Sequence, residues 1–103
     1  MKINFVQEIQ KLEGGVLVIK QEGEPDKPML LRMACVNALM GLYEDEKNLS
    51  GEEKVKRYDM ATKIQAMSEV DFTTEEIATI KKLVAKSYSP LVVGQAWKML
   101  EGK

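Results

Sequence analysis

Few side chains in this chain could carry chemistry. Among 103 residues there is no histidine, and Cys35 is the single cysteine. A Ser-His-Asp triad, a Cys-His dyad, a structural zinc site and an internal disulfide all need residues that are missing. Cys35 lies between Ala34 and Val36 in the most apolar stretch of the chain. A reactive thiol needs an exposed, electropositive setting, so Cys35 reads as a core residue. The remaining candidates are the carboxylates Glu44, Asp45, Glu46, Glu52 and Glu53. Paired acids catalyse when an apolar wall raises one pKa, and this polar segment offers none. It also fails as a calcium loop, because Lys47 and Leu49 occupy ligand positions. The glycines match neither phosphate-binding fingerprint. The expectation is a non-enzymatic protein with no cofactor and no metal.

Charge narrows the partners. With 15 basic and 16 acidic side chains the formal net charge is −1, which lacks the broad basic footprint of non-specific nucleic-acid binding. The distribution is uneven. Acids dominate residues 44–53, while Lys81, Lys82, Lys86, Lys98 and Lys103 dominate the C-terminal part against Glu101. These are either solvated faces or complementary docking surfaces. No apolar run is long enough to cross a bilayer, and no basic-then-apolar leader suggests export. A lone free thiol suits a reducing compartment, so a cytoplasmic location is expected, with no membrane partner.

The elements that position these residues follow from spacing and caps. The length predicts a single domain over residues 1–103, with 45% hydrophobic and 30% charged residues arguing for a globular chain. Residues 1–24 read as a β-hairpin: Val16-Leu17-Val18-Ile19 follows the Gly14-Gly15 turn, and Ile3 and Phe5 alternate as its partner strand. Phe5, Ile9 and Leu12 also fit helical spacing, with Asn4 as cap and Gly14 as stop. Residues 28–103 form the helical core. Pro28 suits a first helical position, so a central apolar helix is expected over 28–42, interrupted only by Arg32 and Asn37. Its Met29, Met33 and Met40 are either core fillers or the floor of an adaptable groove.

Ser50 and Glu53 form a capping box, and Val55, Tyr58, Ala61 and Ile64 trace a drifting stripe on an outer, partly solvated helix. Thr73 and Glu76 form a second box, with Phe72 and Ile77 as a hydrophobic staple. Ile77, Ile80, Leu83 and Val84 give that helix one apolar side. Pro90, preceded by Ser89 as cap, starts a last helix running to about Leu100. The fold class expected is mainly α (α+β): about four helices around the central helix 28–42, a short N-terminal β-hairpin and a C-terminal helical hairpin. On the last helix Val92, Val93, Ala96 and Leu100 face inward, leaving Leu91 and one edge of Trp97 near Lys98, the ingredients of a binding hot spot. Candidate protein-binding residues are therefore Leu91, Trp97, Lys98, Lys82 and Lys86, with Glu44, Asp45 and Glu46 as the acidic counterpart. The alternative is a nucleic-acid-associated regulator using the basic C-terminal helices. Gln95 and Lys98 are the only base readers a recognition helix there would offer, so specific nucleic acid is not expected.

The order Asp45-Glu46-Lys47-Asn48-Leu49-Ser50-Gly51-Glu52-Glu53-Lys54, then Lys56-Arg57-Tyr58, Val70-Asp71-Phe72-Thr73, Ile80-Lys81-Lys82-Leu83 and Tyr88-Ser89-Pro90-Leu91-Val92-Val93-Gly94-Gln95-Ala96-Trp97, resembles small proteins encoded by tailed phages and prophages. The Met1-Lys2-Ile3-Asn4-Phe5 start is similar too. The resemblance implies a phage or prophage setting in a bacterial cytoplasm and assigns no catalytic or binding residue. In that setting the expected function is a protein-binding module, either a virion (tail or head) assembly factor or a modulator of a host protein. Its partner would be a virion protein, a host protein or a second copy of itself.

Overall fold

Side-chain caps decide where two helices begin. In the computed structural model, which describes residues 1–20, 22–23 and 25–102, helix α3 (Thr74–Ser87) opens with the complete box. Glu76 N–H donates to Thr73 Oγ1 at 3.1 Å and Thr73 N–H donates to Glu76 Oε1 at 2.9 Å. Phe72 and Ile77 are both buried at the staple positions. Helix α2 (Gly51–Ala66) has half a box: Glu53 N–H donates to Ser50 Oγ, but the Glu53 carboxylate turns towards Arg57. Helix α4 (Pro90–Leu100) has Ser89 at its cap position with no side-chain bond, so Pro90 alone marks its start. The fold is mainly helical with a small β component, and α3 and α4 form the C-terminal hairpin.

Helix α1 (Leu31–Met40) packs against α2, α3 and α4, as its apolar sequence requires. It starts later and stops earlier than 28–42. Pro28 belongs to strand β3 (Lys27–Pro28), and Met29 continues extended, its N–H donating to Leu17 O at 2.8 Å. The chain becomes helical only at Leu31, where N-terminal carbonyls take the first free amides: Leu31 N–H donates to Gln7 O and Arg32 N–H to Phe5 O. At the other end Gly41 is extended, and Leu42 lies outside the helix.

The N-terminal region is extended rather than helical, and its pairing differs from the simple hairpin expected. Strand β1 (Lys2–Asn4) lies antiparallel to β4 (Glu69–Asp71), with Ile3 opposite Val70. A contact this distant in sequence leaves no local signal. Strand β2 (Val18–Ile19) pairs with the following β3. Its upstream neighbour is an isolated bridge, Gln10 to Val16, across Gly14 and Gly15, whose φ angles of 99° and 86° suit glycine. Three amides close a ring: Ile9 donates to Met29, Met29 to Leu17 and Leu17 to Ile9, each at 2.8 Å.

The core gathers Ile3, Phe5, Leu31, Cys35, Phe72, Ile80, Leu83 and Leu100, with Phe5 edge-on to Phe72 at 5.9 Å. Cys35 is fully buried, and burial pushes its thiol up to about 12. Two outcomes follow. Thr73→Ala should lower stability by about 1 kcal/mol in denaturant melts. Cys35 should resist thiol reagents at pH 8 until the protein unfolds, and Cys35→Ser should cost about 1–3 kcal/mol.

Candidate functional site

The acidic and basic segments marked in the sequence meet each other inside this chain. A 3-10 turn at Glu44–Glu46 folds against α2 and α3. Arg57, 7% exposed, grips Glu46 with two bonds of 2.8 and 2.7 Å. Lys86 Nζ donates to Asp45 Oδ2 at 2.8 Å and lies 3.8 Å from Glu46. Lys82 adds its field at Glu46, while Glu44 stays exposed. The Arg57 hydrogen bonds, opposed by partial desolvation and helped by the charges of Arg57, Lys86 and Lys82, hold the Glu46 carboxyl at about 2. Hydrogen bonding from Lys86 likewise lowers Asp45. Asp45, Glu46 and Lys86 are therefore an internal clasp, with little left to offer a partner.

Tyr43 secures the same turn. Its hydroxyl donates to Ala38 O at 2.7 Å and lies 2.5 Å from Ser87 Oγ. A Cβ at Gly41 would stand 2.9 Å from that hydroxyl, so any other residue where the chain leaves α1 would push the Tyr43 ring from its place. With Gly41 and Tyr43 fixed on either side, Leu42 points outward and is 96% exposed. The expected helix over 28–42 includes Leu42, but the chain leaves the helix at Gly41, the glycine that marks its end.

The C-terminal candidates are also partly occupied. Trp97 Nε1 donates to Lys81 O at 3.0 Å, and Lys81 Nζ sits 4.6 Å from the ring centre while pairing with Glu101. The cation beside Trp97 is thus Lys81, not Lys98 as expected. Leu91 is half-buried rather than solvent-facing, and Lys98 is exposed. Lys103, part of the basic C-terminal count, lies outside the described residues.

A different surface has the open apolar character of a binding site. Helix α1 turns Met33 and Val36 partly out and leaves Met40 54% exposed, and α2 presents Tyr58, 58% exposed. Three clefts of about 380, 340 and 320 Å³ lie in series along this face. Val36 and Gln65 are shared by the first two, Met40 and Tyr58 by the last two, so they form one groove. Its lining is mainly apolar, with Asn37, Thr62 and Gln65 as the uncharged polar members. The three methionines separate: Met29 is core, whereas Met33 and Met40 line the groove. Of the drifting stripe expected on this partly solvated helix, Ala61 and Ile64 are buried together with Arg57 and Met60, while Val55 and Tyr58 are exposed.

Among the described residues no group of acids or Cys35 is placed to hold a metal ion, and no helix is long and apolar enough to cross a membrane. Comparison with protein-family models, with curated proteins and with solved structures returned no match to this chain.

The clasp has a pH signature. A carboxyl lowered on folding stabilises the fold above its unfolded value, and this contribution is lost as pH falls. Carbon-detected NMR should place the Glu46 midpoint near 2, against 4.5 for an ordinary glutamate, with the clasp's stability lost progressively across that window. Glu46→Gln should cost about 1–3 kcal/mol in melts at pH 7, since the buried guanidinium loses charge-assisted acceptors.

Proposed function

We propose that this chain is a non-enzymatic protein-binding module whose docking surface is the α1–α2 groove. The observation that carries this reading is the set of exposed apolar side chains along the groove, Met40 and Tyr58 on two packed helices and Leu42 just past the first. Contiguous apolar surface on a small domain marks a place where another molecule binds, and exposed methionines adapt to a partner's shape. The resemblance to phage and prophage proteins supplies the setting: the cytoplasm of an infected or lysogenic bacterium, with a virion protein or a host protein as partner. The nucleic-acid alternative is weakened by its own cations, since Lys81 is engaged by Trp97 and Glu101 and Lys86 by Asp45 and Glu46.

The test compares wild type with Leu42→Asp and Met40→Asp in affinity capture from infected or lysogenic cells, read by mass spectrometry. Both residues are exposed, so stability should change by no more than about 0.5 kcal/mol. One virion or host protein should be retained by wild type and depleted by both variants. Equal retention by all three proteins sinks the groove as the docking surface.

A further inference from the structure

The groove's apolar floor is set between charged ends of one sign. Among the described residues its walls carry Arg32, Lys47, Lys54 and Arg57 besides Lys27, which has a partner of its own, against a single acid, Glu46, which is already committed to Arg57. The chain as a whole is nearly neutral, at −1, so this is a local excess. At one end Lys47 and Lys54 are exposed and make no ion pair among the described residues. At the other end Arg32 binds two neutral acceptors, Ile64 O at 3.0 Å and Met67 O at 3.1 Å, which leave its charge uncancelled.

Resting on the reading of the groove as a docking surface, we infer that its occupant is an amphipathic helix of a partner protein with acidic residues flanking its apolar stripe. The middle of the groove is built from Val36, Met40, Tyr58, Ala61, Thr62 and Gln65, all on α1 and α2. Their backbone is satisfied within the helices, so an added strand would find no ladder to join there. A third helix laid along two packed helices needs only side-chain contacts, anchored at i, i+3, i+4 and i+7. The charge at the ends also selects against a second copy. A two-fold partner would bring the Lys47–Lys54 end of one molecule onto the Arg32 end of the other, cation against cation.

Two synthetic helical peptides test this, identical in a stripe of leucines but carrying glutamates or lysines at both ends. Fluorescence anisotropy should show the glutamate peptide binding the full chain at least about tenfold more tightly, a difference within reach of a few surface ion pairs. Amide NMR shifts should centre on Val36, Met40 and Tyr58, and the preference should fall as salt rises. Lys47→Glu combined with Lys54→Glu should abolish or reverse the preference without changing the melting temperature, whereas Lys47→Arg with Lys54→Arg should keep it. Equal binding of both peptides in the groove overturns the acidic occupant while leaving the docking surface standing. Binding of neither peptide overturns the inferred helix, and if Leu42→Asp also leaves cellular capture unchanged, the docking surface falls with it. Concentration-dependent dimerisation that Leu42→Asp abolishes overturns the inference in favour of a second copy.

Discussion

The architecture depends on two backbone amides at the start of α1. Leu31 and Arg32 sit where a helix has donors but no carbonyl behind them, and no side chain caps this one. In a buried position an unmade bond of this kind costs on the order of 1–3 kcal/mol. The carbonyls of Gln7 and Phe5 fill the role. The N-terminal segment is therefore required at that helix start, and its course follows from it. Phe5 is carried onto Phe72, Ile3 onto Val70, and the ring of Ile9, Leu17 and Met29 closes beside the same helix end.

With its start covered by backbone, α1 can be apolar almost throughout, and its two polar residues serve its neighbours. Arg32 donates to Ile64 O and Met67 O, capping the carbonyl end of α2, where the helix dipole favours a cation. Asn37 Nδ2 donates to the Tyr88 hydroxyl, which tethers the turn between α3 and α4. Leu31, Ala34, Cys35, Ala38 and Leu39 are consumed by the core. The three-sided packing leaves one strip over, and Met33, Val36 and Met40 occupy it. The groove is thus a geometric remainder: an all-round apolar helix in a domain too small to surround it.

This division explains what could be read from the sequence. Caps and periodicity act over three or four residues, so the Thr73 box, the Phe72–Ile77 staple, the Pro90 start and the inward arc Val92, Ala96 and Leu100 are legible without neighbours. Pairing of β1 with β4 joins Ile3 to Val70, and nothing near either residue encodes the other. The α1 boundaries were misjudged for the same reason, because Pro28 is compatible with a helix start until Leu17 claims the Met29 amide. On α2 the three-residue step traces a drifting stripe on a partly solvated helix, and of that stripe Val55 and Tyr58 are the exposed members. A charge is buried instead: Arg57 turns inward because Glu46, eleven residues earlier, meets it with both carboxylate oxygens.

That ion pair also shapes the surface beyond it. Net charge cannot reveal a binding face when acids and bases are spent unequally within the fold. Here Glu46 is the acid that lines the groove's open end and Arg57 engages it, while Asp45 is held by Lys86 and Glu44 stays exposed outside the lining. Lys47, the next residue, and Lys54 on the first turn of α2 are left facing water beside Leu42, Leu49 and Tyr58. A clasp that pairs the acids of the turn with Arg57 and Lys86 leaves positive charge at the rim. The same three-residue turn that ties α2 to α3 therefore sets the sign of the groove, and a nearly neutral chain presents a mainly apolar floor with a cationic border.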